Sequence, residues 1–114
     1  MPFINSRVSV SMTDAQRETL KAKLGQIISL IPGKSENWLM MEIADQCDMY
    51  FQGNKSQPTA FIEVKSFGKI PEHSRDELTR TICDIYEGEL KIPQNRIYVK
   101  YEEGSMWGWN GSNL

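Results

Sequence analysis

The hydrophobic period of this chain changes from that of a strand to that of a helix and back, and then does so again. "PFINSRVSV" alternates loosely and is rich in β-branched residues, which predicts a strand. In "SMTDAQRETLKAKLGQIISLI" the period lengthens, and Leu20, Leu24, Ile27, Ile28 and Ile31 recur on one helical face. Thr13 and Gln16 have the spacing of a capping box, and "PGK" supplies a stop, since Pro32 cannot extend a helix and Gly33 suits a turn. "NWLMMEIA" predicts a second strand, apolar enough to be covered on both faces. After "KSQP" the plan repeats: "TAFIEVKSFG" is a strand and "SRDELTRTICDIYEGEL" a helix. That helix carries Leu78, Ile82 and Ile85 on one face, with Ser74 and Glu77 as its capping box. "IPQN" is a turn, and "RIYVKYEE" a last strand.

A strand–helix–strand unit closes as a parallel crossover, so two units give a four-stranded sheet. The fold class is therefore mixed α/β (α+β), a single domain over residues 1–114, with two helices on one sheet face. The other face is left with apolar residues and nothing in the chain to cover them, which predicts self-association. Trp107 and Trp109, in the tail "EGSMWGWNGSNL", follow the last strand without a partner element, and an intersubunit role suits them.

Charge and composition narrow the function classes. A formal net charge of −2 and the lack of a basic run leave no footprint for nucleic acid. No stretch approaches the roughly 18 apolar residues of a membrane span, and no signal peptide is visible. The two cysteines, Cys47 and Cys83, match no metal or redox spacing, and the one histidine, His73, precedes a helix without ligand partners. The expected setting is a reducing cytosol, without metal or cofactor.

Pro2 follows the initiator methionine. Read alone, it is a proline tolerated at a strand edge. Removal of Met1 would expose it as a secondary amine that is both basic and nucleophilic.

Met1-Pro2, "PGK", "SFGKI", "RIYVKY" and "WGWNGS", in that order along the whole chain, resemble the macrophage migration inhibitory factor family, which includes D-dopachrome tautomerase and belongs to the tautomerase superfamily. The resemblance implies a homotrimer in which three sheets form a barrel-like core, with sites between subunits. It implies a keto–enol tautomerase acting on α-keto acids of the phenylpyruvate type, with Pro2 as the general base and no cofactor. Lys34 falls on the family's motif lysine, a cation for the amine and for a substrate carboxylate. Ser66 and Phe67 match a stretch that binds carboxylate partly through a backbone amide, Phe67 replacing a smaller aliphatic residue. Tyr98 matches a pocket tyrosine given by the neighbouring subunit. Trp38 takes the place of an aromatic at the pocket mouth, and Trp109 matches the C-terminal tryptophan. Lys100 departs from the asparagine of the mammalian cytokine-like members, as a second cation near Pro2 or as a side chain pointing away. "TAFI", Thr59 to Ile62, stands where macrophage migration inhibitory factor has a Cys-x-x-Cys pair, so a thiol oxidoreductase activity has no support. The family also raises an alternative: a cytokine-like protein that binds a receptor and is released without a signal peptide, its tautomerase activity vestigial.

Overall fold

The computed structural model describes all 114 residues. Four main strands, β1 (Pro2–Val8), β2 (Met40–Ala44), β3 (Ala60–Phe67) and β4 (Ile97–Gly104), form one sheet with spatial order β2-β1-β3-β4. Helix α1 (Asp14–Ile27) links β1 to β2, and α2 (Glu72–Leu90) links β3 to β4. Both linked pairs are parallel, whereas β1 and β3 are antiparallel, so the two β-α-β units meet along the centre of the sheet. A hairpin of β5 (Gly108–Trp109) and β6 (Ser112–Asn113) ends the chain.

The helical face of α1 is the one its sequence period marks. Leu20, Leu24, Ile28 and Ile31 are fully buried, and meet Leu78 and Ile82 of α2 and Ile4, Val8, Ile62 and Val64 of the sheet in one core. Each such side chain contributes on the order of 1.5–3 kcal/mol when removed from water. The Tyr86 ring is also fully buried, and its hydroxyl donates to Ser6 Oγ at 2.7 Å. Burial pushes the Tyr86 phenol far up, so it stays protonated.

The two helices begin differently. Thr13 Oγ1 accepts the Gln16 N–H at 3.1 Å, and Gln16 Oε1 accepts the Thr13 N–H at 2.9 Å, forming the expected capping box. The box expected at Ser74 and Glu77 does not form. Helix α2 starts two residues earlier, at Glu72 behind Pro71, and no side chain caps it. Pro71 sets an extended φ/ψ that lets the helix start at once, which leaves Ser74 inside the first turn, its hydroxyl buried and unpartnered.

Two further expectations are corrected. Strand β2 is shorter than "NWLMMEIA", because Glu36–Trp38 forms a 3-10 turn; it lies at the sheet edge, and Met40 is exposed rather than covered on both faces. The helix-free sheet face exists and carries apolar side chains as expected, but charged ones are set among them. Along β3 the buried Ala60, Ile62, Val64 and Ser66 alternate with half-buried Phe61, Glu63, Lys65 and Phe67. Cross-strand register then sets Lys65 beside Glu102 and Glu63 beside Lys100, with Arg7 Nη1 3.2 Å from Glu63 Oε1. The chain writes period-2 alternation into β3 and β4, and the outward half mixes Glu63, Lys65, Lys100 and Glu102 with the aromatic Phe61, Phe67 and Tyr98.

Candidate active site

Pro2 begins β1 and is buried, in register with Ser66 near the end of β3. Residue 1 continues the strand pairing: the Phe67 N–H donates to the Met1 carbonyl at 3.1 Å. The turn after α1 brings a cation to the same spot. Gly33 adopts φ +81°, a left-handed conformation that glycine supplies without strain, and the chain reverses into Lys34. Lys34 Nζ then donates to the Phe67 carbonyl at 2.8 Å and lies 5.8 Å from the Phe67 ring centroid. The N-terminal amine is held below its ordinary value of 8.0 by burial first, then by the charge of Lys34 and a hydrogen bond with it.

A cleft of about 710 Å³ opens beside this end of β1. Its lining includes Met1, Pro2, Phe3, Trp38, Lys65, Glu102 and Trp109. Trp38 comes from the 3-10 turn before β2, and Trp109 from β5. Their rings meet edge to face, with centroids 5.1 Å apart and an interplanar angle of 81°. The hairpin that carries Trp109 turns through Asn110 and Gly111, both left-handed at φ 52° and 83°, as an Asn-Gly type I′ turn requires. Leu114 N–H donates to Trp107 O at 2.9 Å and ties the end of the chain back. Trp109 therefore packs within its own chain, beyond the intersubunit role expected of it.

The remaining candidates sit elsewhere. The Ser66 side chain is fully buried and its hydroxyl donates to the Phe67 carbonyl at 3.4 Å, so it points away from the cleft. Tyr98 is in register with Phe61, five residues along β3 from Ser66. At about 3.3 Å per residue that offset alone is roughly 17 Å along the strand, and β4 lies two strands across from β1, so Tyr98 is farther than that from Pro2. Lys100 is in register with Glu63, three residues from Ser66 and roughly 10 Å away. Both side chains are exposed, on edge strand β4. One chain does not bring them to its own Pro2.

The family model for macrophage migration inhibitory factor matches residues 1–114. The chain belongs to the macrophage migration inhibitory factor family. A macrophage migration inhibitory factor of Xenopus laevis is 32% identical, the alignment covering 100% of this chain and 99% of that protein. Among solved structures, a protein of Leishmania major described as MIF2 superposes with a TM-score of 0.90 at 36% identity, covering 100% of this chain and 97% of that one. A homologue from Prochlorococcus marinus gives a TM-score of 0.79 at 33% identity, covering 97% of both. The four-stranded sheet with two helices is thus the fold of this family.

Phe3, Met40, Lys65 and Glu102 also line the cleft, and reading along the sequence missed them; Trp107, expected between subunits, lines it as well. Phe3, Lys65 and Glu102 share one cross-strand row, so the missing information was register rather than residue type. No group of three or more His, Cys, Asp or Glu side chains could hold a metal ion, and no helix is long and apolar enough to cross a membrane. His73 is exposed, while Cys83 is buried and its thiol is pushed up chiefly by burial.

Proposed function

We propose that the chain is a keto–enol tautomerase of phenylpyruvate-like α-keto acids that works once Met1 is removed. One observation carries this reading: Met1 occupies the hydrogen bond that a substrate needs. Its carbonyl accepts the Phe67 N–H, while Lys34 Nζ lies at the Phe67 carbonyl and lowers the proton affinity of the terminal amine. Cleavage after Met1 takes that carbonyl away. It frees the Phe67 amide donor next to a lysine cation, and it makes the Pro2 nitrogen the terminal amine, one residue further in along β1.

The three groups then suit three parts of an α-keto acid. Its carboxylate bonds to Lys34 Nζ and the Phe67 N–H, charge-assisted hydrogen bonds of the stronger kind. Its aryl end enters the cleft beside Trp38 and Trp109, where ring faces and edges are available. The Pro2 amine, neutral through burial and the nearby cation, takes a proton from the carbon next to the keto group. The electron pair moves to the carbonyl oxygen, which takes up a proton and gives the enol; the reverse sequence regenerates the keto acid. No redox change occurs, so no cofactor is required.

In this reading the active form is a homotrimer, and Tyr98 and Lys100 of one subunit complete the site of the next. Their exposure and their distance from Pro2 in the same chain support that division.

The test follows enol-to-keto conversion of phenylpyruvate by ultraviolet absorbance, with mass spectrometry of the N-terminus and light scattering of the assembly. Turnover by cleaved trimer and none by uncleaved protein is the expected result. Equal turnover by both would exclude Pro2 as the base, and a stable monomer at micromolar concentration would take Tyr98 and Lys100 out of the site.

A further inference from the structure

The segment between β2 and β3 holds a small hairpin that the chemistry above does not use. Phe51 N–H donates to Asn54 O at 2.9 Å, and Asn54 N–H donates to Phe51 O at 3.2 Å. The two residues between them, Gln52 and Gly53, are both left-handed at φ 53° and 79°, which makes a type I′ turn. For Gln52 this conformation is strained.

A buried cation fastens the hairpin. Arg96 is 7% exposed and forms no ion pair. Its Nε donates to Pro58 O at 3.1 Å and to Thr59 Oγ1 at 3.0 Å, and its Nη2 donates to Asn54 O at 3.3 Å. The guanidinium also lies 5.3 Å from the Phe51 ring centroid. A buried charge without a counterion is costly, and these carbonyls and the ring face are what offset it.

The result is one fixed aromatic ring. Phe51 meets Tyr98 edge to face, with centroids 5.4 Å apart and an interplanar angle of 85°. Tyr98 itself is 62% exposed on an edge strand, where two χ1 rotamers are ordinarily open to it. We propose that Phe51 is a positioning residue: the Arg96-anchored hairpin holds it against Tyr98, and so sets the Tyr98 ring as the wall that meets the aryl end of a substrate in the adjacent subunit. This rests on the reading of Tyr98 given under the proposed function. Without Phe51 the ring spreads over its rotamers, and the substrate must order it. Binding weakens while the proton transfer at Pro2 does not change.

The experiment uses the Met1-cleaved protein, with binding of phenylpyruvate read by quenching of Trp38 and Trp109 and turnover read by absorbance. Phe51→Leu keeps an apolar side chain and leaves the Arg96 hydrogen bonds to backbone in place. It is expected to raise both the dissociation constant and KM three- to tenfold, with kcat within twofold. Phe51→Tyr should restore the parent values. In a Tyr98→Ala background, Phe51→Leu should have no further effect. An unchanged dissociation constant in Phe51→Leu overturns the proposal, as does a loss of the same size in the Tyr98→Ala background. If Tyr98→Ala alone leaves binding unchanged, the reading of Tyr98 fails and takes this one with it. Should Phe51→Leu not fold, the ring resonances of Tyr98 in the unaltered protein decide: a shift from the ring current of Phe51 is expected, and random-coil values refute the contact.

Discussion

The two ends of the sheet's charged face are built on different terms. At the Pro2 end the chain completes its own arrangement. The turn after α1 delivers Lys34, the 3-10 turn delivers Trp38, and the terminal hairpin delivers Trp109 to within a ring's contact of it. At the other end Tyr98 and Lys100 stand exposed on β4, with Phe51 as the aromatic neighbour of Tyr98. One end gathers the buried Pro2, the Lys34 cation and two tryptophans; the other holds side chains exposed on an edge strand. On the proposed reading, binding the carboxylate and moving the proton are tasks for one chain, whereas closing round the substrate is a task for an assembly.

The contrast is broken most severely at the base. Retention of Met1 is expected to lower tautomerase turnover by roughly 10²–10⁴-fold, the usual contribution of a positioned general base. The fold should be unaffected, since Met1 adds one hydrogen bond at the strand end and nothing to the core. Circular dichroism matched between cleaved and uncleaved protein, followed by the phenylpyruvate assay, checks this. Similar rates would mean that the Pro2 end carries no chemistry.

Lys34 comes next. Lys34→Ala removes a charged hydrogen-bond donor worth about 1.5–3 kcal/mol, hence roughly a ten- to hundredfold loss in kcat/KM. The pH profile should move with it. An amine is the active base only when neutral, and a depressed pKa keeps it neutral to lower pH. The amine of the uncleaved chain is held below its ordinary 8.0; with the same direction of shift at a freed Pro2 amine, activity falls as pH drops through a value below that of an ordinary terminal amine. Without Lys34 one of the causes of the depression is gone, and the acid limb shifts to higher pH. A limb that stays in place in the variant would leave burial, the largest cause, as the whole explanation.

How much of this was legible before the structure follows the range of the interactions. The doubled β-α-β plan is local, written in period and turn residues, and so is the Thr13–Gln16 box. The Ser74–Glu77 box had the same spelling and failed, because Pro71 offered an earlier helix start. The residue types of the site were readable, but Lys65 and Glu102 were not, because they reach Pro2 only through strand register. The open face was misjudged for a related reason. Reading along the chain supplied no strand register; the alternation in β3 sets Glu63 and Lys65 on that face together with Phe61 and Phe67.

Tyr98→Ala sharpens the comparison from the far end. An exposed aromatic outside its own chain's core can be removed at a small cost in stability, at most the edge-to-face contact with Phe51. If it walls the neighbouring cleft, KM for phenylpyruvate should rise about five- to tenfold, the scale of one aromatic contact. The melting temperature of the isolated fold should move little. A fall in melting temperature with an unchanged KM would instead make Tyr98 a packing residue of the assembly alone.

The smallest effect is expected at Lys100. Its register partner Glu63 already accepts from Arg7 at 3.2 Å and from Asn5 at 3.5 Å, and Lys100 itself forms no ion pair within its chain. Lys100 is exposed, and an exposed charge acts on another at a level of about 1 kcal/mol or less. Lys100→Asn should therefore reduce the preference for a keto acid over its methyl ester by only about two- to fivefold. The reduction should shrink as salt is raised from 0.01 to 0.15 M, since the screening length falls from about 30 to 8 Å. Steady-state kinetics on the acid and the ester at both salt concentrations distinguish the cases. A preference that is lowered and salt-dependent places the ammonium within reach of the neighbouring carboxylate site. An unchanged preference at both concentrations means that the ammonium of Lys100 points to solvent, and that the two ends of the sheet share an aromatic wall but no cation.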